Sequence, residues 1–388
     1  MKRSYDIIVV GGGINGMTSA CALSESGFKV ALVERENIKN KLAKTRDGRA
    51  ISIAKRSKEI LHSYDIWKYI SQEVGEMHSI RVMDGDSKIR LEFDDSLTQG
   101  EALGYLIESD LILKGLYDKV IENEVALFEE RECNNVEFSD IDATLSLSSG
   151  DILQSKAVIV TNGKNSNLRS MLGLSANQKK YNQIAFVFNI EHSKPHENCA
   201  YECFFRSGPF ALLPLQDSHK SSVVWCEDEL VSNMGLNIKD IEAALKLRCE
   251  AIYQDVKIIS EIAKFPLSAS NMDQYYKERA VFIGDSLHSI HPVAGQGYNL
   301  SIRDIEALVG LFVKYRDLGF DIGCSGLFNA FSNIRKKENA IMIHSMDALV
   351  SLFSNDSSAK QIFRRLGLDV VNNTSFMRRF FVKKAMGY

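Results

Sequence analysis

"YDIIVVGGGINGMTSACALSESGFKVALVE" spans Tyr5 to Glu34. Its apolar run, Ile7 to Val10, stops at three consecutive glycines. A helical pattern follows from Ile14 to Ser26, and "KVALVE" reads as a second apolar strand. The stretch is therefore a strand–turn–helix–strand unit. Gly11, Gly13 and Gly16 form G-x-G-x-x-G at the strand–helix junction. The first glycine permits the tight turn, the second lets a pyrophosphate approach the backbone, and the third allows close helix–strand packing. The free N–H groups and positive dipole of the helix start favour a diphosphate there. Glu34 ends the second strand 21 residues after Gly13, where an acid accepts hydrogen bonds from ribose hydroxyls. The unit predicts dinucleotide binding, and by itself does not separate FAD from NAD.

The 388 residues suggest two domains or one large one. Composition is that of a globular protein, 45% apolar and 25% charged. A net charge of −3 gives no whole-chain argument for a nucleic-acid partner. Seven dispersed cysteines without a CxxC pair read as reduced thiols in a cytoplasmic protein, not as a zinc site. The apolar N-terminal run is too short for a signal peptide, and no stretch reaches the ~18–20 apolar residues of a membrane span.

Beyond the first unit, "HSIRVMD" and "SKIRLEF" predict an antiparallel excursion between residues 77 and 93. "ESDLILKGLYDKVIEN" is an amphipathic helix, with Leu111, Ile112, Gly115, Leu116 and Val120 on one side. "KAVIV" (156–160) is a buried strand. From Tyr181 to about Ser270 the pattern turns β-rich, in "NQIAFVFNIE", "CAYECFFR", "FALLPL" and "SSVVWCE", broken by one helix over 238–254. Buried strand texture returns in "RAVFIGD" (279–285), and the remainder reads as helical.

That last strand opens a second unusual stretch, "GDSLHSIHPVAGQGYNLSIRD", Gly284 to Asp304. His288 and His291 could share a metal, but no further ligands with recognisable spacing accompany them. The serines lack the G-x-S-x-G elbow of a nucleophile. The bland alternative makes both histidines loop residues bonded to backbone. The stretch as a whole fits a different purpose. A strand ending at Gly284-Asp285 delivers a carboxylate suited to ribityl hydroxyls, Pro292 fixes the following loop, and Gly295 and Gly297 allow a flat ring to approach. A helix beginning near Tyr298 aims its positive end at that ring, while Leu300, Ile305, Leu308, Val309 and Phe312 give it an apolar face for the sheet.

The pairing of G-x-G-x-x-G with G-D-x-x-H-x-x-x-P-x-x-G-x-G-x-N resembles the class A FAD-dependent aromatic hydroxylases, and more closely the ubiquinone-biosynthesis hydroxylases. "DGRAISI" (47–53), "GPFALLPL" (208–215) and the C-terminal "LFS…RRLGL…AMG" carry the same similarity across nearly the whole chain. It implies an α/β protein with a Rossmann-like FAD-binding domain of the para-hydroxybenzoate hydroxylase type, interrupted by a β-sheet substrate domain and ending in helices. The expected boundaries are 1–76, 100–180 and 271–388 for the FAD-binding part, with 77–99 and 181–270 covering the substrate.

By that resemblance Gly11, Gly13, Gly16, Glu34 and Arg35 hold the ADP half of FAD, and Arg49 in "DGRA" lies near the flavin and its phosphates. Asp285 takes the ribityl chain, while Gly295, Gln296, Gly297 and Asn299 face the isoalloxazine. His288, His291 and Pro292, beside the ring-binding loop, are the candidates to orient substrate or water. The implied reaction hydroxylates the ring of a polyprenylated phenol in ubiquinone biosynthesis, through a C4a-hydroperoxyflavin formed with O₂. Electrons come from a reduced nicotinamide, NADH or NADPH, or a protein donor. The alternatives are an FAD-dependent reductase or dehydrogenase on a prenyl or other small substrate, and a non-catalytic binding protein.

One departure stands in "TNGKNSNLR" (161–169), where Asn162 occupies the position of a usual aspartate, although Gly163, Ser166 and Arg169 fit. The lost charge predicts weaker flavin binding. Finally, residues 361–388 hold six basic residues (Arg364, Arg365, Arg378, Arg379, Lys383, Lys384) against Asp369. With Phe376, Phe380 and Phe381 interleaved, this segment reads either as an interfacial helix on the inner face of the cytoplasmic membrane or as a packed helix with a solvated side. Other ubiquinone-biosynthesis proteins are further expected partners.

Overall fold

The computed structural model describes residues 2–44, 48–85, 90–205, 207–230, 238–292, 295–353, 378, 383 and 386–388. Arg364, Arg365, Phe376, Arg379, Phe380, Phe381 and Lys384 lie outside the described residues, as does most of the basic segment.

The first strand, Lys2–Val10, carries Ile7, Ile8, Val9 and Val10. All four are buried, because the strand lies centrally in a sheet covered on both faces. It pairs in parallel with Ile152–Val160 on one side and Val30–Val33 on the other. The sheet continues through Ala126–Phe128 at one end and through Ala280–Phe282 and Tyr276–Lys277 at the other. An antiparallel hairpin, Cys133–Phe138 and Ala143–Leu147, joins the early part of Ile152–Val160, giving eight strands. The helices Ile14–Glu25, Ser109–Glu122 and Gln296–Asp317 pack around this sheet. The predicted apolar face of Gln296–Asp317 is buried at all five positions.

Among the described residues the second sheet has nine strands. Its main path runs His288–Ser289, Ala263–Asn271, Asn177–His192, Lys220–Asp228, Gly208–Pro214, Cys199–Phe205, Ser79–Met83, Arg90–Asp94. The expected excursion near 77–93 is thus two antiparallel strands, and they join the β-rich segment through a parallel pairing of Ser79–Met83 with Cys199–Phe205. One face of this sheet packs Phe186, Phe188, Phe210 and Trp225 against Ile241 and Leu245 of the helix Ile238–Cys249. That helix ends five residues before the sequence pattern does. The amides of Ile252 and Tyr253 both bond back to the Cys249 carbonyl, turning the chain into the short strand Val256–Ile258.

Other strands also differ from the sequence reading. Ala50–Ala54, Gly104–Glu108 and Gly75–Met77 form a third, three-stranded sheet whose members are too short and too far apart in sequence to show a period. Asn177–His192 begins four residues early, since a register shift between Lys180 and Ile184, with Asn182 at φ 53°, lets the pairing cross a bulge. The last long helix among the described residues is Ser325–Phe353. Among the described residues no helix is long and apolar enough to cross a membrane.

Candidate functional site: a cradle opening into an apolar gallery

A cavity of about 2130 Å³ runs from the glycine turn, past the ring-facing loop, to the inner face of the nine-stranded sheet. A single-ligand pocket is usually about 300–1,000 Å³, so this space has room for a dinucleotide and a second molecule together.

At the turn the three glycines have separate reasons to be glycine. Gly11 has φ +113°, and a Cβ there would stand 2.7 Å from the Asn162 backbone. At Gly16 a Cβ would fall 1.7 Å from the Gly11 carbonyl oxygen, so Gly16 serves helix–strand contact and is no part of the cavity wall. Gly13 is the N-cap of its helix and lines the cavity, yet a Cβ there would meet nothing within 4 Å. That open volume beside a helix N-terminus is what a diphosphate would fill. Glu34 reaches back to accept from the Gly12 amide and, at 3.0 Å, from the Glu36 amide. It shapes the turn as well as lining the cavity.

Arg35 also lines the cavity but is largely exposed and paired with Glu36 at 3.6 Å. Arg49 is exposed at the wall, with its guanidinium carbon 5.3 Å from the Phe265 ring centroid. Asn162 donates to Asn167 Oδ1 at 2.6 Å, while its own buried Oδ1 has no hydrogen-bond partner. Asn15, on the same wall, likewise holds a buried Oδ1 without a hydrogen-bond partner. Both residues line the cavity, but the two orphaned oxygens are themselves shielded from it. Gly163, at φ +85°, opens onto the space beside them.

The strand Ala280–Phe282 ends in a single 3-10 turn, Gly284–Ser286, which presents Asp285 to the cavity. The carboxylate is exposed, but to the cavity interior. Desolvation by the surrounding protein pushes it above the usual carboxylate range, against the opposing charges of His288 and Lys164. Gly295 adopts φ +60°, where a Cβ would meet Ser52 at 2.7 Å. The following helix begins at Gln296, two residues before the expected start, and Gln296, Gly297 and Tyr298 line the cavity. A Cβ at Gly297 would also meet nothing within 4 Å.

Asn299 sits elsewhere. It accepts from the Ala54 amide at 2.8 Å and donates to the Ser52 and Gly295 carbonyls, pinning the helix start to the third sheet rather than facing a ligand. The histidines also point away from the cavity. His288 is buried against Asp304, Nε2 to Oδ2 at 2.5 Å, and Asp304 accepts from Arg335 Nε at 2.6 Å. His291 is buried beside Gln183 and edge-on to Tyr181, and burial lowers it to about 4, so it is neutral at physiological pH. Of the three catalytic candidates only Pro292 lines the cavity. Among the described residues no three His, Cys, Asp or Glu side chains converge to hold a metal ion.

A sequence profile of the FAD binding domain family matches residues 4–315. The chain belongs to the class A FAD-dependent aromatic hydroxylases. It is 32% identical to the ubiquinone hydroxylase UbiL of Rhodospirillum rubrum over 385 residues, covering 98% of this chain and 89% of that one. Similarity to the 3-demethoxyubiquinol 3-hydroxylase of Escherichia coli is 26% identity, covering all of this chain and 99% of that one. Among solved folds, the p-nitrophenol 4-monooxygenase PnpA of Pseudomonas putida superposes with a TM-score of 0.81 at 15% identity, covering 99% of this chain and 98% of that one. FAD binding in this family accounts for the glycine turn and its cradle.

At the other end of the cavity the segments 77–99 and 181–270 were expected to cover the substrate, but sequence reasoning named none of the individual wall residues. Val82, Phe93, Ala211 and Val224 form the sheet side of that end, and Met342 and Met346 of the helix Ser325–Phe353 face them. Their apolar side chains are ordinary for strands and helices, so no local signal marks them.

Proposed function

We propose that the chain hydroxylates the aromatic ring of a polyprenylated phenol in ubiquinone biosynthesis. The observation that carries this reading is the continuity of the cavity, a polar cradle at one end and an apolar gallery at the other. A phenol alone would leave most of such a gallery empty; a phenol that carries an isoprenoid chain would fill it with ring and chain together. Burying it there gains about 25 cal/mol per Å² of apolar surface removed from water.

FAD, once bound and reduced, supplies activated O₂ for transfer of one oxygen atom to the ring. In this reading Gly13 leaves room for the diphosphate, Asp285 accepts from ribityl hydroxyls with Asn15 and Asn162 lining the wall beside it, and Gln296 and Gly297 at the helix start meet the ring system. Residues 1–76, 100–180 and 271–388 then serve FAD, while 77–99 and 181–270 cover the substrate. His288 and Asn299 become positioning residues that fix the ring-facing helix. The relatives' names as ubiquinone and demethoxyubiquinol hydroxylases support the substrate class. A reduced nicotinamide is the proposed reductant. The basic C-terminal segment is the proposed contact with anionic lipid, through which a membrane-dissolved substrate would be reached.

Quinone profiling of a strain lacking the protein tests the reading. A prenylated intermediate missing one ring oxygen should accumulate and disappear on complementation; an unchanged quinone pool would overturn it. Flotation with anionic liposomes tests the membrane contact separately.

A further inference from the structure

Glu202 stands alone on the gallery wall. On the strand Cys199–Phe205, Ala200, Glu202 and Phe204 line the cavity, while Cys203 and Phe205 pack into the core on the other face. Glu202 pairs in register with Val82 on one side and Ala211 on the other. Ala211 in turn pairs with Val224, and Val224 with Val187. This row of five crosses five strands, every member lines the cavity, and four of the five are apolar. Among the described residues no hydrogen bond or ion pair holds the Glu202 carboxylate. A charge placed so costs stability unless something uses it.

We infer that Glu202 is the group that receives the phenolic proton of the substrate during hydroxylation, a role that rests on the function proposed above. In that step the substrate O–H bond breaks and a Glu202 Oε–H bond forms. The electron pair stays on the phenolic oxygen and enriches the ring for oxygen transfer; no electron leaves or enters. Burial lifts the carboxyl to about 7, matched to a general base near neutral pH. Its titratable neighbours in the sheet are Cys203 and Cys226, both thiols raised by burial and further by Glu202 itself. Tyr201 of the same strand also lines the cavity, and elsewhere on its wall Arg335 and Glu338 come from the helix Ser325–Phe353, Arg303 and Glu306 from the helix before it, with Arg49, Arg56, Asp285 and Tyr388 among the others. The acid range of the pH profile should therefore report Glu202 with the field of these groups added.

The test is a single-turnover assay in which the dithionite-reduced holoenzyme is mixed with O₂ and 2-farnesylphenol, the hydroxylated product being measured from pH 5.5 to 9. Reducing the flavin chemically removes the electron donor from the question. For wild type, the rate of product formation should rise with pH through about 7. Glu202→Gln should keep its FAD and its affinity for 2-farnesylphenol, form product about 100-fold more slowly, and lose that acid limb. Glu202→Asp should restore part of the rate with the limb. A Gln variant that forms product at the wild-type rate, or keeps the acid limb while slowed, overturns the assignment and leaves the proposed function standing. A wild-type enzyme that yields no product at any pH overturns both.

Discussion

Asp304 and His288 meet 2.5 Å apart in the protein interior, each 2% exposed or less, and join the ring-facing helix to the strand that precedes its loop. Arg335 and Asn339 of the last long helix complete the cluster by donating to Asp304 Oδ1. Burial alone would raise the Asp304 carboxyl, but His288 and Arg335 outweigh it and hold it below its ordinary value. Asp304→Asn leaves Arg335 without its buried counter-charge, so we expect a loss of about 3–5 kcal/mol. Urea unfolding at neutral pH measures it. Because the folded-state value is depressed, the stabilisation is full above the unfolded value of 3.8 and fades as pH falls below it.

Gly13 and Gly16 should respond in opposite ways to a larger residue. Gly13→Val places its side chain in open cavity at an ordinary backbone angle, φ −79°, so the protein should fold with unchanged stability and purify without flavin. Gly16→Ala meets the Gly11 carbonyl, and overpacking of that kind costs about 1–3 kcal/mol or more. Thermal melts of the FAD-free proteins together with flavin absorbance separate the two. A Gly13→Val protein that binds FAD normally would remove the diphosphate from this position.

Asn162→Asp sets the sequence expectation against the structure. Restored charge predicts tighter FAD. The amide, however, donates to Asn167 Oδ1, and Asn167 is oriented by its own bonds to the Leu168 amide, Glu132 and the Cys133 carbonyl. A carboxylate would face that oxygen with another acceptor. We expect the FAD-free variant to be less stable by about 1–3 kcal/mol. Calorimetric melts with and without FAD give the stability change and the change in FAD affinity from one data set.

Glu202 also gives stability a pH signature that needs no substrate. Its folded-state value, about 7, lies above the 4.5 of the unfolded chain, so stability falls as pH rises from about 4.5 to about 7. Glu202→Gln removes that fall. At pH 8 the variant should exceed wild type by on the order of 1–3 kcal/mol, and at pH 4.5 the two should agree. Urea titrations at both pH values decide it.

The cradle was legible because backbone geometry writes itself into sequence: Gly11 needs its positive φ, Gly13 its clearance and Gly16 its contact, and no other residue meets these needs. Asp285 was legible as the acid that closes the apolar run 279–285, although the strand itself ends at Phe282 and a 3-10 turn carries the residue. The histidines misled for the opposite reason. His288 finds Asp304 sixteen residues away, across a helix start, and a tertiary pairing leaves no local spacing to read. Glu202 was passed over as one acid inside "CAYECFF". Strand alternation assigns it a face, but which face borders a cavity is known only once Val82 and Ala211 lie on either side.

The parallel seam between Ser79–Met83 and Cys199–Phe205 has a consequence for how the chain is made. A ribosome releases the first of these strands long before its neighbour exists. Until then the edge of Ser79–Met83 is unprotected, and the space between the sheets has no far wall. The parallel sheet waits longer still, since Ile152–Val160 meets Ala280–Phe282 only when three-quarters of the polypeptide has emerged. During most of its synthesis a chain of this architecture therefore carries apolar strand edges that only residues made later can cover.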